Sequence, residues 1–287
     1  MRRINGISAA LVCACICAMA ARASEDMLII EQDYNIVEHA KDVVNARDIR
    51  QILYVTRDMV CIDEYGNGGK TPSESYLLDL KNQRIVNLDH DNKKLLLSES
   101  FDERRKRLTQ KKAEVQGDLA ALPPGPQRDK IINLYRAMLD GERTFALLES
   151  DVKKNIAGAD CKTVKIVDAK KPDYVALEAS VNPAVELPYD NSEVLYLLKI
   201  IGENMAAFLK ENKTTFTRLP MELHVDLAAG GKLDTKVISV KQLKADEFDP
   251  KSRALGDPFL IPADYAAPKP KLGPKAPVET LKKERAD

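Results

Sequence analysis

The chain has 287 residues, with 44 basic and 44 acidic side chains, so it has no net field to draw in nucleic acid or to bind anionic lipid strongly. Its length suits one large or two small domains, and 44% of its residues are apolar.

The first segment reads as a cleavable signal peptide. Arg2 and Arg3 give a positive start, and Ile7 to Ala20 is a run of small and apolar residues. Ala21-Arg22-Ala23 is the small-x-small pattern cut by signal peptidases. The apolar run is shorter than the ~20 residues that span a bilayer. A lipobox reading at Val12 to Cys15 would truncate the apolar core. Residues 1–23 are therefore expected to leave, the mature chain to start at Ser24, and the protein to be periplasmic or secreted. No later stretch is long enough for an integral membrane segment. Arg2, Arg3 and Arg22 leave with the signal, so acidic residues then slightly outnumber basic ones. Cys13, Cys15 and Cys17 leave too. The two that remain, Cys61 and Cys161, permit one disulfide in an oxidising compartment, or stay as two buried thiols.

Met27 to Val37 reads as a first strand, followed by strands at 49–55 and 59–64. Gly66-Asn67-Gly68-Gly69 breaks the chain. Three short strands at 75–80, 84–88 and 93–98 follow, joined by polar turns of hairpin length, which makes a meander. Ser100 followed by Glu103 is a capping box that starts a helix. Phe101, Leu108, Val115 and Leu122 give that helix a thin apolar stripe. Pro123 to Pro126 ends it, and a second helix is expected over 127–140. This is a helical hairpin set into a β protein.

Strands resume at 144–152, 163–167 and 174–181. Asp190 with Glu193 opens a third helix, expected over 192–210, whose apolar face includes Leu197, Ile201, Met205 and Phe208. Leu219, Met221, Leu223, Val225 and Leu227 then alternate with Pro220, Glu222, His224, Asp226 and Ala228, a strand with one dry face. A strand at 235–243 follows. The Pro/Lys/Ala tail from 267 to 287 cannot bury enough apolar surface to order itself.

Motifs for chemistry are weak. Gly66 to Thr71 resembles the end of a phosphate loop, but Glu64 stands where the first glycine belongs. His39, His90 and His224 have no metal-ligand spacing, and no nucleophile-elbow motif is present. Cys61 lies in an apolar strand, where thiols are inert. Arg104 to Arg107 with Lys111 and Lys112 is interrupted by acids and reads as a solvated helix face. Asn212-Lys213-Thr214 is a formal glycosylation sequon. No catalytic residue, cofactor or metal site is expected, and the chain reads as a non-enzymatic binding protein.

Two stretches carry a family likeness. One runs from Ser75-Tyr-Leu-Leu-Asp-Leu through His90 to Phe101-Asp-Glu. The other comprises Cys161-Lys-Thr-Val-Lys-Ile, Leu219-Pro-Met-Glu-Leu and Phe259-Leu-Ile-Pro-Ala-Asp-Tyr265. Together they resemble periplasmic proteins of unknown function related to the LolA-like outer-membrane lipoprotein carriers. The resemblance implies an α+β, mainly antiparallel β fold: a strongly curved half-barrel sheet covered by helices, spanning residues 24–266, with the hairpin at 100–140 inserted. It also implies a lipid or acyl-chain partner on the concave face, for which Leu197, Ile201, Met205, Phe208, Leu219, Met221, Leu223 and Val225 are the candidate contacts. The alternative is a cell-envelope interaction protein with a self-filled core, meeting a protein or wall partner through the hairpin or tail.

Overall fold

The computed structural model describes residues 26–40, 43–66, 68–139, 143–212, 216–228 and 230–265. The expected signal peptide, the 267–287 tail, the His39 side chain and most of the sequon lie outside them.

Among the described residues, eleven strands form one antiparallel sheet. They are β1 (Asp26–Ala40), β2 (Val43–Val55), β3 (Met59–Tyr65), β4 (Glu74–Asp79), β5 (Arg84–Asp89), β6 (Lys94–Ser100), β7 (Phe145–Ile156), β8 (Ala159–Asp168), β9 (Lys171–Glu186), β10 (Arg218–Asp226) and β11 (Gly231–Lys244). The order is β6-β5-β4-β3-β2-β1-β11-β10-β9-β8-β7. The sheet is curved and open, a half-barrel with β6 and β7 at its edges, as the sequence led one to expect.

The meander's turns share one device. Asp79 accepts hydrogen bonds from the Asn82 backbone and side chain, and Asp89 does the same with Asn92, all at 2.8–2.9 Å. Each turn then closes through a residue at positive φ, Gln83 at 53° and Lys93 at 50°. Asp and Asn suit such turns because their short side chains mimic backbone partners.

The chain leaves the sheet at one edge, β6, and rejoins it at the other, β7. Between them lie α1 (Phe101–Ala121) and α2 (Pro126–Leu134). The capping box at Ser100 and Glu103 starts α1. Phe101 packs with Val60, Leu78 and Ile85 on the sheet, while Val115 and Leu119 pack with Met138 and Ala228. The hairpin thus runs over the concave side.

The expected single helix at 192–210 is two: α3 (Asn191–Leu197) and α4 (Glu203–Glu211). Lys199 at φ 65° breaks the helical path, and Gly202 caps the second segment. The break turns the Ile200 carbonyl outward, where it accepts from the Ala228 N–H at 3.2 Å. That bond ties the helix layer to the connection between β10 and β11.

Successive residues of a strand face opposite sides. Leu28, Ile30, Val60, Ile62, Leu78 and Ile85 face the helices. Met27, Tyr54, Cys61, Leu77, Val86 and Leu88 face the other way and are covered by Phe248, Phe259 and Tyr265. The segment that follows β11, residues 245–265, is therefore a strap across the outer face of β3 to β5.

Cys61 and Cys161, the cysteines among the described residues, are free, so the expected disulfide between them is not formed. Cys61 on β3 lies under the strap, and Cys161 on β8 lies in the helix-side core. Five strands separate β3 from β8. With strands ~4.8 Å apart, the pair is far beyond the ~7 Å Cα limit for a bridge.

Candidate functional site: a graded cavity under the helix layer

A cavity of about 310 Å³ lies between the concave face and the segment around α3. The sheet register explains its character. Three rows of side chains cross β1 to β4, spaced two residues apart along each strand. The deepest is Leu28–Val55–Val60–Leu78, all apolar. The next is Ile30–Leu53–Ile62–Tyr76. The third is Gln32–Gln51–Glu64–Glu74. The floor therefore changes from apolar to polar over two row steps, about 13 Å.

The third row is hydrogen-bonded across strands. Gln32 Nε2 donates to Gln51 Oε1 at 2.8 Å, and Gln51 Nε2 donates to Glu64 Oε1 at 2.9 Å. Gln51 is only 4% exposed, so this ladder is interior. Burying such groups is tolerable because each has a partner. Burial pushes the Tyr76 phenol up, and the nearby Glu64 and Glu74 charges push it further. The phenol therefore stays protonated.

Apolar side chains make up much of the rest of the lining: Val194, Leu195 and Leu198 from the helix segment, with Leu219, Leu223, Leu227 and Leu233 from β10, β11 and their connection. Arg104 closes one side. Its Nε donates to the Leu197 carbonyl at 2.8 Å and its Nη1 pairs with Glu99 at 3.1 Å, which fixes α1 on α3. Burial lowers its pKa, with Arg107 acting the same way and Glu99 opposing both. Exposed Arg47 and half-buried Lys199 stand among the lining residues as well.

Two of the eight residues expected to contact a ligand line this cavity, Leu219 and Leu223. Leu197 and Met221 are instead in the core cluster around Phe101. Ile201, Met205 and Val225 lie in a second core cluster beneath α4, where Phe208 packs against Phe145 with ring centroids 5.8 Å apart. The helix break accounts for Ile201, Met205 and Phe208, because it separates them from the residues over the cavity. The floor residues of β1 to β4 were not anticipated. Their one sequence signal is the presence of Gln51 and Glu64 in otherwise apolar strands.

A polar cluster on the outer face was missed as well. Asp63 is fully buried, and Arg253 of the strap grips it with two hydrogen bonds of 2.7 and 2.8 Å. Burial pulls the guanidinium pKa down, but the bonds and charge of Asp63 more than reverse this and raise it. Ser75 donates to Asp63 at 2.5 Å and lies 2.6 Å from His90 Nε2. His90 Nδ1 lies 2.5 Å from the Tyr265 hydroxyl. Serine, histidine and aspartate here are in the wrong order for nucleophilic catalysis. A catalytic histidine takes the serine proton, whereas the Ser75 proton points at Asp63. Cys61 nearby has its thiol pushed well up, first by burial and then by Asp63, which makes it inert. Among the described residues, no group of three or more His, Cys, Asp or Glu could hold a metal, and no helix is long and apolar enough to cross a membrane.

Fold and cavity together define a class: an open, curved antiparallel sheet whose concave face is roofed by helices over a part-polar cavity. Comparison with known proteins does not narrow it to a family. No family profile and no curated protein matches the chain. Among solved structures, PNGF-II matches 82% of this chain at 12% identity with a TM-score of 0.32, and the chain spans 29% of its length. A domain named for outer-membrane lipoprotein sorting from Vibrio parahaemolyticus matches 84% of this chain and 97% of its own, at 8% identity and a TM-score of 0.19. A DUF1329 family protein from Desulfovibrio piger matches 81% and 91%, at 8% identity and a TM-score of 0.18.

Proposed function

We propose that this is an exported carrier or binding protein that holds the apolar part of a small amphiphile, a lipid or acyl chain, in the cavity beneath α3, and that it does so without catalysis. The observation that carries the reading is the cavity itself. Its 310 Å³ falls at the lower end of the volumes of small-molecule sites, and such sites are mostly apolar with a few placed polar groups. A chain laid along Val60, Ile62, Leu53 and Leu223 gains roughly 0.8 kcal/mol per buried CH₂. The signal-like pattern from Arg2 to Ala23 supports a site of action outside the cytoplasm. An interaction protein with a self-filled core would need no such space, so the cavity favours the carrier.

Native mass spectrometry of the protein purified from its own source tests this. The expected spectrum contains an adduct of small-molecule mass that dissociates on activation. Leu53→Trp, which fills the space from a half-buried position, should lose that adduct while keeping its melting temperature within a few degrees. An adduct-free wild type, or a folded Leu53→Trp protein carrying the same adduct, would refute the assignment.

A further inference from the structure

We infer that the cavity takes an amphiphile with an anionic head, a carboxylate or a phosphate, gripped by the unpaired edge of the Arg104 guanidinium. The inference rests on the carrier reading and names the head group for the same site.

Arg104 is a cation with only 7% of its surface exposed. A buried charge is costly unless it is matched. Here the match is partial. Arg104 Nη1 donates to Glu99 Oε1 at 3.1 Å, and Arg107 Nη2 donates to the same oxygen at 2.5 Å. Two guanidiniums thus share one carboxylate, and the trio keeps a net positive charge. Burial pushes the Arg104 pKa down, Arg107 adds to this, and Glu99 opposes both. The other partner of Arg104, the Leu197 carbonyl on Nε, is neutral. One Nη1 hydrogen and both Nη2 hydrogens are left over. Among the described residues Nη2 has no partner, yet the buried polar side-chain atoms that lack one are Asn87 Oδ1 and Arg107 Nε. Nη2 therefore reaches accessible surface, and Arg104 lines the cavity.

An oxyanion suits these hydrogens better than an alcohol does. It can accept two of them at once, and it supplies the charge that the trio lacks. The rest of the lining favours the same sign, because it sets Arg47, Arg104 and Lys199 against one carboxylate, Glu64. Arg47, Lys199 and Glu64 each have interactions of their own, Glu64 with Gln51 among them. They bias the field, and Arg104 makes the contact.

The test is displacement of a fluorescent acyl probe by decanoate, decyl phosphate and decanol at about pH 8, where the first two are ionised. At least one of the anions is expected to displace the probe at a concentration at least about tenfold lower than decanol, and the tighter of the two shows whether the head is a carboxylate or a phosphate. Arg104→Gln keeps a donor for the Leu197 carbonyl and removes the charge, so it should bring that anion to within about threefold of decanol. The wild-type ranking decides the matter even if the variant fails to fold. A smaller gap or none in wild type, or an unchanged gap in a folded Arg104→Gln protein, overturns the inference. Saturable binding of none of the three overturns the carrier reading beneath it.

Discussion

The outer face of the sheet has two halves that solve the same problem differently. Over β3 to β5 it is apolar, and the strap 245–265 covers it with Phe248, Phe259 and Tyr265 around a buried Asp63–Arg253 pair. Over β7 to β11 it is bare and charged. Lys165 pairs with Glu178 at 3.1 Å, Lys154 with Glu222 at 2.9 Å, and His224 with Asp234 at 2.5 Å. An uncovered strand face needs only solvated side chains, and a covered one needs a partner for every polar group beneath. One half therefore stands on screened pairs that tolerate loss, and the other on a few partnerships that do not.

Asp63→Ala should break this contrast most sharply. It leaves the Arg253 guanidinium buried and unpaired, which costs about 3–5 kcal/mol. Chemical denaturation reads that loss, and limited proteolysis should find the strap newly cleavable. The double variant Asp63→Leu with Arg253→Met removes both charges and should regain most of the stability. A single variant as stable as wild type means that the strap is not anchored there.

The covered half should also carry a pH dependence. Burial pulls the His90 ring below its usual pKa of about 6.5, Arg253 adds to this, and Asp63, Asp89 and Asp91 oppose it. The folded state therefore binds this proton less readily than the unfolded chain does. Its contribution is full above about pH 6.5 and is lost as pH falls from there through the folded pKa. Melting temperature should decline over that window in wild type and decline less in His90→Phe. Equal slopes in the two proteins would dismiss His90 as the source.

The smallest effect belongs to the bare half. Glu222→Ala removes the partner of Lys154 and Lys236 and should cost less than about 1 kcal/mol, because the two lysines it leaves behind are 37% and 63% exposed and are solvated instead. Thermal denaturation in low and high salt checks it. A loss comparable to that of Asp63→Ala would erase the distinction between the halves.

What could be read in the sequence follows the range of the interactions. The meander was legible because Asp79 with Asn82 and Asp89 with Asn92 specify their turns within four residues. The start of α1 was legible for the same reason, through Ser100 and Glu103. The break in the third helix was not, because apolar periodicity continues through 198–202, and the Ala228 N–H that takes up the Ile200 carbonyl lies far along the chain. The strap was invisible as a structural element: it has no period, and its anchor joins residues 190 apart. The cavity failed in part for a related reason. The dry face of 219–227 was correctly read, but the facing rows of β1 to β4 exist only once pairing register is set. Asp63 inside Val60-Cys-Ile-Asp was the one local hint of a buried polar partner.

The central claim is that the cavity takes up an apolar chain, and a fluorescence titration with an acyl probe tests it directly. Three proteins are compared: wild type, Leu53→Trp, and Ile238→Trp as a control at the exposed bulge residue of β11. The account predicts one-site saturable binding to wild type and to Ile238→Trp, and its loss in a folded Leu53→Trp protein. Equal binding by all three, or saturation in none, would contradict it.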